Sequence, residues 1–283
     1  MSGHSLQTRN IRKEYPGTVA LDGVSVEFDG GRVHALIGKN GAGKSTLVKI
    51  FAGSVQPTGG TILVDGAPIE LRSPSDAFAK GIATVYQEMS LVPEMTVAEN
   101  IFLGRWPRRK GFLRSVVDWR SITDAAQRVL DGMQVSLDLR ANVGSLGMAQ
   151  QQVVEIAKAM SFNPSVLMLD EPTSALARHE TEHLFRLVRQ LADKGVVILY
   201  ITHRLQELSR IADTVTVLRD GRRVGSMGMR DATPDTIAHM MFGEAAQGER
   251  PAELGGGGAP VMQVRGLGRT GKFHNVNFEL RRG

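Results

Sequence analysis

The sequence predicts an α/β protein in which a block of helices interrupts a domain built on a sheet. From Leu6 to about Phe242, short apolar runs alternate with stretches of helical spacing, the alternation typical of α/β domains. Between about Ser90 and Asn163 the apolar runs stop and helical spacing continues. We therefore expect a sheet domain with a helical subdomain inserted at about residues 90–163.

Six apolar runs have the length of buried strands. They are Val33–Ile37, Thr61–Val64, Ile82–Tyr86, Val166–Leu169, Val196–Ile201 and Thr214–Leu218. The Asp220-Gly221 pair after the last run is a hairpin signal. The last strand is therefore expected to turn back through Arg223–Ser226.

One helix of the inserted block is marked by apolar residues at helical spacing. They are Val153, Ile156, Ala157 and Met160. The same spacing predicts that Glu155 and Lys158 point outward.

Composition narrows the classes of protein to which the chain can belong. Its 283 residues carry 34 Lys and Arg against 29 Asp and Glu, a formal charge of +5, and 42% are apolar, as in ordinary globular proteins. The absence of Cys excludes disulfides, thiolate catalysis and Cys-ligated metal centres. The longest apolar run, Val196–Ile201, is too short for a membrane helix, and Met1–Asn10 lacks the apolar core of a signal peptide. We expect a cytoplasmic chain that lies at a membrane only where a partner holds it.

The densest basic cluster allows two interpretations, a nucleic-acid patch or a solvated loop. It comprises Arg105, Arg108, Arg109, Lys110 and Arg114. Only two aromatic residues, Trp106 and Phe112, lie nearby, fewer than a base-stacking groove needs. We prefer the solvated loop and expect no nucleic-acid partner.

The C-terminal segment resembles the beginning of the chain. After a first domain at residues 1–245, the Gly-rich stretch 246–260 reads as a flexible linker. Met262–Leu267 then parallels Leu6–Ile11, and Val276–Gly283 parallels Val24–Gly31. We interpret residues 261–283 as the opening strands of a truncated second copy of the domain; chance similarity over so short a stretch is the alternative.

A glycine-rich segment between an apolar strand and a helix has the pattern of a phosphate-binding loop. It consists of Gly38, Lys39, Asn40, Gly41, Ala42, Gly43, Lys44, Ser45 and Thr46. Its backbone N–H groups and the helix N-terminus would surround the phosphates. Lys44 would reach the β- and γ-phosphates and Ser45 would ligate Mg²⁺.

Two carboxylates follow the apolar run Val166–Leu169. Asp170 is placed to hold Mg²⁺, and Glu171 to polarise the water that attacks a phosphate. An Asp-Glu pair alone is often a solvated strand end, but downstream of a phosphate loop it predicts hydrolysis.

These motifs, with three further positions, resemble ATP-binding cassette proteins. Gln87 matches the family's glutamine loop, which reaches Mg²⁺ and the attacking water, and His203 matches the switch histidine at the γ-phosphate. Ser174–Leu176 matches the loop that crosses to the opposite subunit, and Tyr15 stands where the family stacks an aromatic ring on adenine. The resemblance implies ATP and Mg²⁺ as ligands and a phosphate-loop α/β fold with an antiparallel β subdomain and an inserted helical subdomain.

Longer stretches resemble the cassettes of monosaccharide importers of the ribose, galactose and xylose type. They are Gly81–Glu88, Val97–Arg105, Gln151–Ala159 and Val215–Arg222. The resemblance implies a peripheral subunit at the cytoplasmic face of the membrane that hydrolyses ATP to energise sugar import. Its partners would be permease subunits, an external sugar-binding protein that acts indirectly, and a second cassette, in the same chain or in a second copy. A cassette ATPase acting on ribosomes or DNA, and a truncated subunit with impaired turnover, are the alternatives.

The family signature Leu-Ser-any-Gly-Gln is altered in this chain. It falls on Leu146, Gly147, Met148, Ala149 and Gln150. Gly147 replaces the serine that would bond the γ-phosphate held by the other cassette, and Ala149 adds a methyl group where backbone and phosphate should approach. We expect the nucleotide site that this signature completes to be impaired; a shifted register that uses Ser145 is the alternative.

Overall fold

The structure, a computed structural model, describes residues 4–108, 117–243 and 259–281. The chain divides into two units, Met1–Gly243 and Glu244–Gly283. The strands are β1 (Ser5–Tyr15), β2 (Thr18–Val24), β3 (Glu27–Asp29), β4 (Val33–Ile37), β5 (Gly59–Val64), β6 (Ala67–Ile69), β7 (Ile82–Val85), β8 (Val166–Asp170), β9 (Val197–Ile201), β10 (Thr214–Arg219), β11 (Arg222–Gly228), β12 (Pro260–Arg269) and β13 (Phe273–Arg281). The helices are α1 (Lys44–Phe51), α2 (Pro74–Ala79), α3 (Val97–Ile101), α4 (Trp119–Met133), α5 (Met148–Met160), α6 (Arg178–Asp193), α7 (Leu205–Ile211) and α8 (Pro234–Phe242).

A six-stranded sheet forms the centre of the first unit, in the order β11-β10-β4-β9-β8-β7. The five strands from β10 to β7 are parallel, and β11 returns antiparallel to β10. The predicted strands and the hairpin return are confirmed, with ends that differ by one or a few residues. Most residues of the five parallel strands are apolar and buried, because both faces of this part of the sheet are covered, whereas β11 at the edge is mostly exposed.

A second sheet is antiparallel and contains the Thr61–Val64 run within β5. Its order is β2-β1-β5-β6, and β3 pairs with β1. The fold class is therefore confirmed, including its antiparallel β subdomain.

Successive residues of β8 enter different hydrophobic cores. Leu167 and Leu169 pack with the helical side of the sheet, whereas Val166 and Met168 pack with α1 and the antiparallel sheet. A third core lies between β4, β10 and α8, around Ile37. The central sheet is thus held from both faces, which keeps the loops at its strand ends in place.

The segment between β7 and β8 contains the helices α3, α4 and α5, as predicted for the inserted subdomain. The outward orientation predicted for Glu155 is wrong, because Glu155 is buried in the core beside Val154 and Ile156. Its carboxylate accepts a hydrogen bond from the backbone N–H of Ser90, which supplies a partner for the buried charge. Lys158 is partly exposed. None of the helices in the described ranges combines the length and apolar character needed to cross a bilayer.

The described part of the second unit is an antiparallel hairpin of β12 and β13. It pairs Met262 with Leu280, Gln263 with Glu279, and Leu267 with Val276. In the first unit, β1 pairs Leu6 with Phe28 and Gln7 with Glu27 of β3, and Ile11 with Val24 of β2. The sequence repeat and the pairing register therefore agree position by position.

A local irregularity recurs at the same place in both units. Asn10 and Gly266 both have a positive φ, of 51° and 63°. The backbone N–H of Asn10 donates to the Ser25 hydroxyl over 2.8 Å, and that of Gly266 donates to Oδ1 of Asn277 over 2.6 Å. Most of the predicted linker, residues 246–258, lies outside the described residues, as do Arg109, Lys110 and Arg114 of the basic cluster.

Candidate functional site

Four neighbouring parallel strands deliver the predicted site residues to one edge of the central sheet. The phosphate loop follows β4, and His203 follows β9. Asp170 ends β8 and Glu171 comes next, while Gln87 stands two residues after β7. Because the carboxyl ends of parallel strands meet at the same edge, the fold collects side chains from distant parts of the sequence.

Two glycines of the phosphate loop are required by its close packing. Gly38 has a φ of 156°, and a Cβ there would lie 2.3 Å from the Leu218 carbonyl oxygen. Gly43 has a φ of 101°, and a Cβ there would lie 2.7 Å from both the Ala20 carbonyl oxygen and a Leu21 methyl group. The loop is thus wedged between β10 and β2 in a conformation that other residues rarely adopt.

Helix α1 begins at Lys44, within the phosphate-loop motif, and its N-terminus has no side-chain cap. Its N-cap is Gly43, which offers no side chain, and the first turn has no acidic residue. The N-terminal amides of a helix need acceptors, and they carry a partial positive charge. This end of α1 is therefore suited to bind an anion.

Lys44 lies folded along the phosphate loop and is largely buried. Its Nζ donates to the carbonyl oxygens of Gly38 and Lys39 over 2.7 and 3.0 Å. Burial lowers the pKa of Lys44, and the nearby Glu171 and Asp170 carboxylates act in the opposite direction. A buried ammonium held only by neutral carbonyl groups gains strongly from an anionic partner.

Burial also raises the pKa of Asp170, and the charge of Glu171 adds to the rise. Lys44 opposes it. The site therefore holds two carboxylates and one ammonium in a partly desolvated setting, where charges interact more strongly than in water.

The structure brings Glu171 and His203 into direct contact. Nδ1 of His203 lies 2.8 Å from Oε1 of Glu171, and the ring is 59% exposed while the carboxylate is 23% exposed. Since an ionised carboxylate only accepts, Nδ1 carries the hydrogen of this bond. Glu171 has a φ of 48°, a strained value for a residue with a side chain, and its N–H donates to the Ile201 carbonyl oxygen over 2.9 Å.

Gln87 is exposed at the same edge, and the segment after it is anchored to the helical subdomain. Besides the Glu155 bond, the Ser90 hydroxyl accepts from Nζ of Lys158 over 2.8 Å. Two residues later, the Val92 N–H donates to the buried Asn100 side chain over 2.8 Å. This segment is therefore hydrogen-bonded to both α5 and α3.

Tyr15 ends β1 beside the hairpin that packs on the phosphate loop. It pairs with Thr18 in register, is 40% exposed, and has Nζ of Lys13 5.0 Å from its ring centroid. β2 of the same hairpin contacts Gly43 through Ala20 and Leu21. Tyr15 is thus a partly exposed aromatic residue on the hairpin that borders the loop.

The altered signature lies where helix α5 begins. Gly147 is the N-cap with a φ of −66°, exposed, and its N–H donates to Oε1 of Gln150 over 3.3 Å. Leu146 accepts from the Gln151 side chain over 3.0 Å, and Ala149 lies in the first turn. The Ser145 hydroxyl donates to the Asn142 carbonyl oxygen over 2.7 Å. The signature thus belongs to the helical subdomain, while the other predicted residues stand on the sheets.

The donor atoms at the sheet edge suit Mg²⁺. Ser45, Asp170 and Gln87 offer hydroxyl, carboxylate and amide oxygens, the hard donors that Mg²⁺ prefers. A cation would offset the desolvation that raises the pKa of Asp170. Within the described ranges, no group of three His, Asp or Glu side chains is arranged to hold a metal ion unaided. The remaining ligands would be water and phosphate oxygens, as is usual for Mg²⁺ with nucleotides.

Sequence reasoning missed several residues that support the site. Glu155 interrupts the apolar run from Val153 to Ala157, a signal that its carboxylate is buried. Arg204 and Glu207 lie close after His203 and bond the segment that follows Glu171. No pattern in the sequence shows this, because the contact joins residues about 30 positions apart.

The chain matches the family profile described as ABC transporter over residues 21–174. It belongs to the ABC transporter family. It is 48% identical over 98% of its length to the ribose import ATP-binding protein RbsA 1 of Rubrobacter xylanophilus, covering 55% of that protein. It is 46% identical, also over 98% of its length, to the protein of the same name from Streptomyces avermitilis, covering 52% of it. The chain thus spans about half the length of these relatives.

Solved ABC cassettes share its fold. The ADP conformation of an ATP-binding cassette of an ABC transporter superposes with a TM-score of 0.74 at 27% identity, covering 85% of this chain and 99% of that one. A nucleotide-free cassette gives a TM-score of 0.71 at 28% identity, covering 80% and 91%. The resemblance inferred from the motifs is confirmed.

Proposed function

We propose that this ABC cassette binds ATP with Mg²⁺ at the edge of its central sheet and hydrolyses it. The observation that carries the proposal is the meeting of the phosphate loop, the acid pair, Gln87 and His203 at the ends of four adjacent strands, with His203 in contact with Glu171. Nothing in the sequence order alone would bring these groups together.

The chain's own residues have distinct tasks in this reaction. Lys44 leaves the loop carbonyls for the β- and γ-phosphates, and the uncapped amides of α1 hold the same group. Glu171 polarises the attacking water, and His203, oriented through its Nδ1, contacts the γ-phosphate. Mg²⁺, held by Ser45, Asp170 and Gln87, would neutralise charge on the phosphate oxygens. Tyr15 stacks on adenine.

We also propose that residues 261–283 begin a second cassette joined through a linker at 246–260. The register and the irregularity shared by the two units support this. The apolar residues Met262, Leu267, Val276 and Leu280 are 37–52% exposed. Their counterparts Leu6, Ile11, Val24 and Phe28 are fully buried in the first unit. These exposed apolar side chains of the hairpin would be buried in a hydrophobic core once the remaining elements of the second cassette packed against them.

The physiological role that we propose is energising the import of a simple sugar. The relatives with 46–48% identity are ribose import ATP-binding proteins, which supports a ribose-type sugar. A membrane permease would dock near Gln87 and the helical subdomain, at the cytoplasmic face, with an external sugar-binding protein acting through the permease. Gly147 and Ala149 would weaken the nucleotide site completed by this signature.

Retention of labelled ATP with Mg²⁺ tests the nucleotide site directly. The unchanged chain and Glu171→Gln should both retain nucleotide, because the carboxylate acts on water, while Lys44→Ala should not. Glu171→Gln should retain ATP but release little phosphate, which would assign the activation of water to this carboxylate. Failure of the unchanged chain to retain ATP would refute the proposal.

Stimulation of hydrolysis identifies the partner. Permease in vesicles should raise phosphate release, and ribosomes or DNA should not. Stimulation by ribosomes or DNA would favour a cassette ATPase of that class. Tight ATP binding with little release in the presence of permease would favour a truncated subunit of impaired turnover.

A further inference from the structure

A buried glutamate is hydrogen-bonded to the segments next to the proposed catalytic pair and has no role in the mechanism above. Glu207 on α7 is 7% exposed. Burying a carboxylate is costly unless hydrogen bonds compensate the lost hydration. The partners of Glu207 therefore show what its charge stabilises.

The hydrogen-bond donors around Glu207 come from two separate segments. The Thr173 hydroxyl lies 2.8 and 2.9 Å from its two oxygens, and Thr173 belongs to the segment after Glu171. The Tyr200 hydroxyl donates over 2.9 Å from the end of β9, the strand that leads to His203. Burial raises the pKa of Tyr200, as does the charge of Glu207, so this hydroxyl keeps its hydrogen.

Arg204, the residue after His203, makes a second connection between the same two segments. Its guanidinium donates to the carbonyl oxygens of Thr173 and Ser174, both over 3.2 Å, and lies 3.4 Å from Oε1 of Glu207. Its backbone N–H donates to the Thr202 hydroxyl over 3.0 Å. Thr202 and Arg204, on either side of His203, are thus hydrogen-bonded to each other. Arg204 is also hydrogen-bonded to the segment that follows Glu171.

We propose that Glu207 and Arg204 are positioning residues, a bridge that holds His203 against Glu171. The inference deepens the proposed function and rests on it. The two residues do not meet the phosphate. They fix the segments whose separation sets the 2.8 Å contact between Nδ1 of His203 and Oε1 of Glu171. A geometry held within about 0.5 Å is what such a contact needs for catalysis.

Hydrogen exchange of the full chain measures the bridge without requiring turnover. In Glu207→Gln the side chain keeps its shape but loses its charge and one acceptor oxygen. Amide exchange should then rise together in the segments 171–176 and 202–206. Arg204→Met, which keeps a long side chain but has no donor for the two carbonyl oxygens, should give the same pair of changes.

Glu155→Gln is the matched control, since Glu155 is equally buried and bonds a different segment. It should raise exchange around Ser90 and leave the other two segments unchanged. Exchange that rises in only one of the two bridged segments, or evenly over the chain in Glu207→Gln, would overturn the bridge.

Turnover separates a positioning role from a general loss of stability. Glu207→Gln should lower kcat about tenfold while ATP retention changes less than about twofold. In a His203→Ala background the same change should have no further effect on kcat, because the two residues act as one unit. Additive losses would overturn the inference.

The proposed function and the bridge fail in different ways. An unchanged chain that does not retain ATP overturns both. ATP retention in the unchanged chain, with normal exchange in both segments of Glu207→Gln, overturns the bridge alone.

Discussion

Replacing Gly147 by serine tests the altered signature in a chain where the change should not disturb folding. The φ of −66° suits any residue, and a Cβ at this position would meet no atom within 4 Å. Gly147 is the N-cap of α5, where serine is preferred over glycine by only a few tenths of a kcal/mol. The free energy of unfolding should therefore change by about 0.5 kcal/mol or less.

The expected effect on turnover is much larger than the effect on stability. A hydrogen bond to a charged group contributes about 1.5–3 kcal/mol, which corresponds to about one to two decades in rate. That gain should appear where two copies of the chain meet, so phosphate release should be measured at saturating Mg·ATP over a range of protein concentrations. The increase should be steeper at high concentration, because the serine acts on nucleotide held by the other copy.

Gly147→Ala is the control, since it adds a Cβ without the hydroxyl. It should leave the rate near that of the unchanged chain. An equal gain in both variants would show that backbone restriction, rather than a hydrogen bond, is responsible. No gain with serine would refute the account of the signature.

Three further predictions concern stability. Because burial raises the pKa of Asp170, the stability that its protonated form contributes is present below the ordinary aspartate range and is lost as pH rises through the raised pKa. Asp170→Asn should therefore raise the Tm of the ligand-free protein at neutral pH, and the difference should vanish below about pH 4. The control Asp193→Asn, at an exposed position, should show neither effect. Gly43→Ala should lower the Tm more than Gly41→Ala, because both have positive φ but only at Gly43 would the methyl group clash with β2; equal losses would contradict the packing argument. Glu155→Ala should destabilise the chain by about 1 kcal/mol or more, because it removes the partly buried hydrogen bond from the Ser90 N–H and leaves a gap in the packed core, and an unchanged denaturant midpoint would contradict a stabilising role for this carboxylate.

The strands of the central sheet were predictable because burial on both faces leaves a continuous apolar run. Val166–Leu169 and Val196–Ile201 are such runs, and both form strands with nearly the predicted ends. The phosphate loop was predictable for a different reason. A backbone conformation that needs glycine, followed by Lys44 at the start of a helix, leaves its pattern in consecutive residues.

The orientation of Glu155 was not predictable from helical spacing. Spacing identifies the face with most apolar residues, but α5 is covered on more than one side. A charged residue can lie in that covered region when a backbone amide from another segment supplies a partner. The Ser90 amide does so here, and it lies 65 positions earlier in the chain.

The amino-acid sequence by itself determined the local features of this cassette, since strand burial, the glycine-rich turn and the helix start depend on neighbouring residues. Only the tertiary structure decided which distant groups touch. Glu171 and His203 meet because β8 and β9 are adjacent and parallel, and Glu207 accepts hydrogen bonds from Thr173 after Glu171 and from Tyr200 before His203. Those contacts depend on strand order and on burial of polar groups, which are properties of the packed chain as a whole.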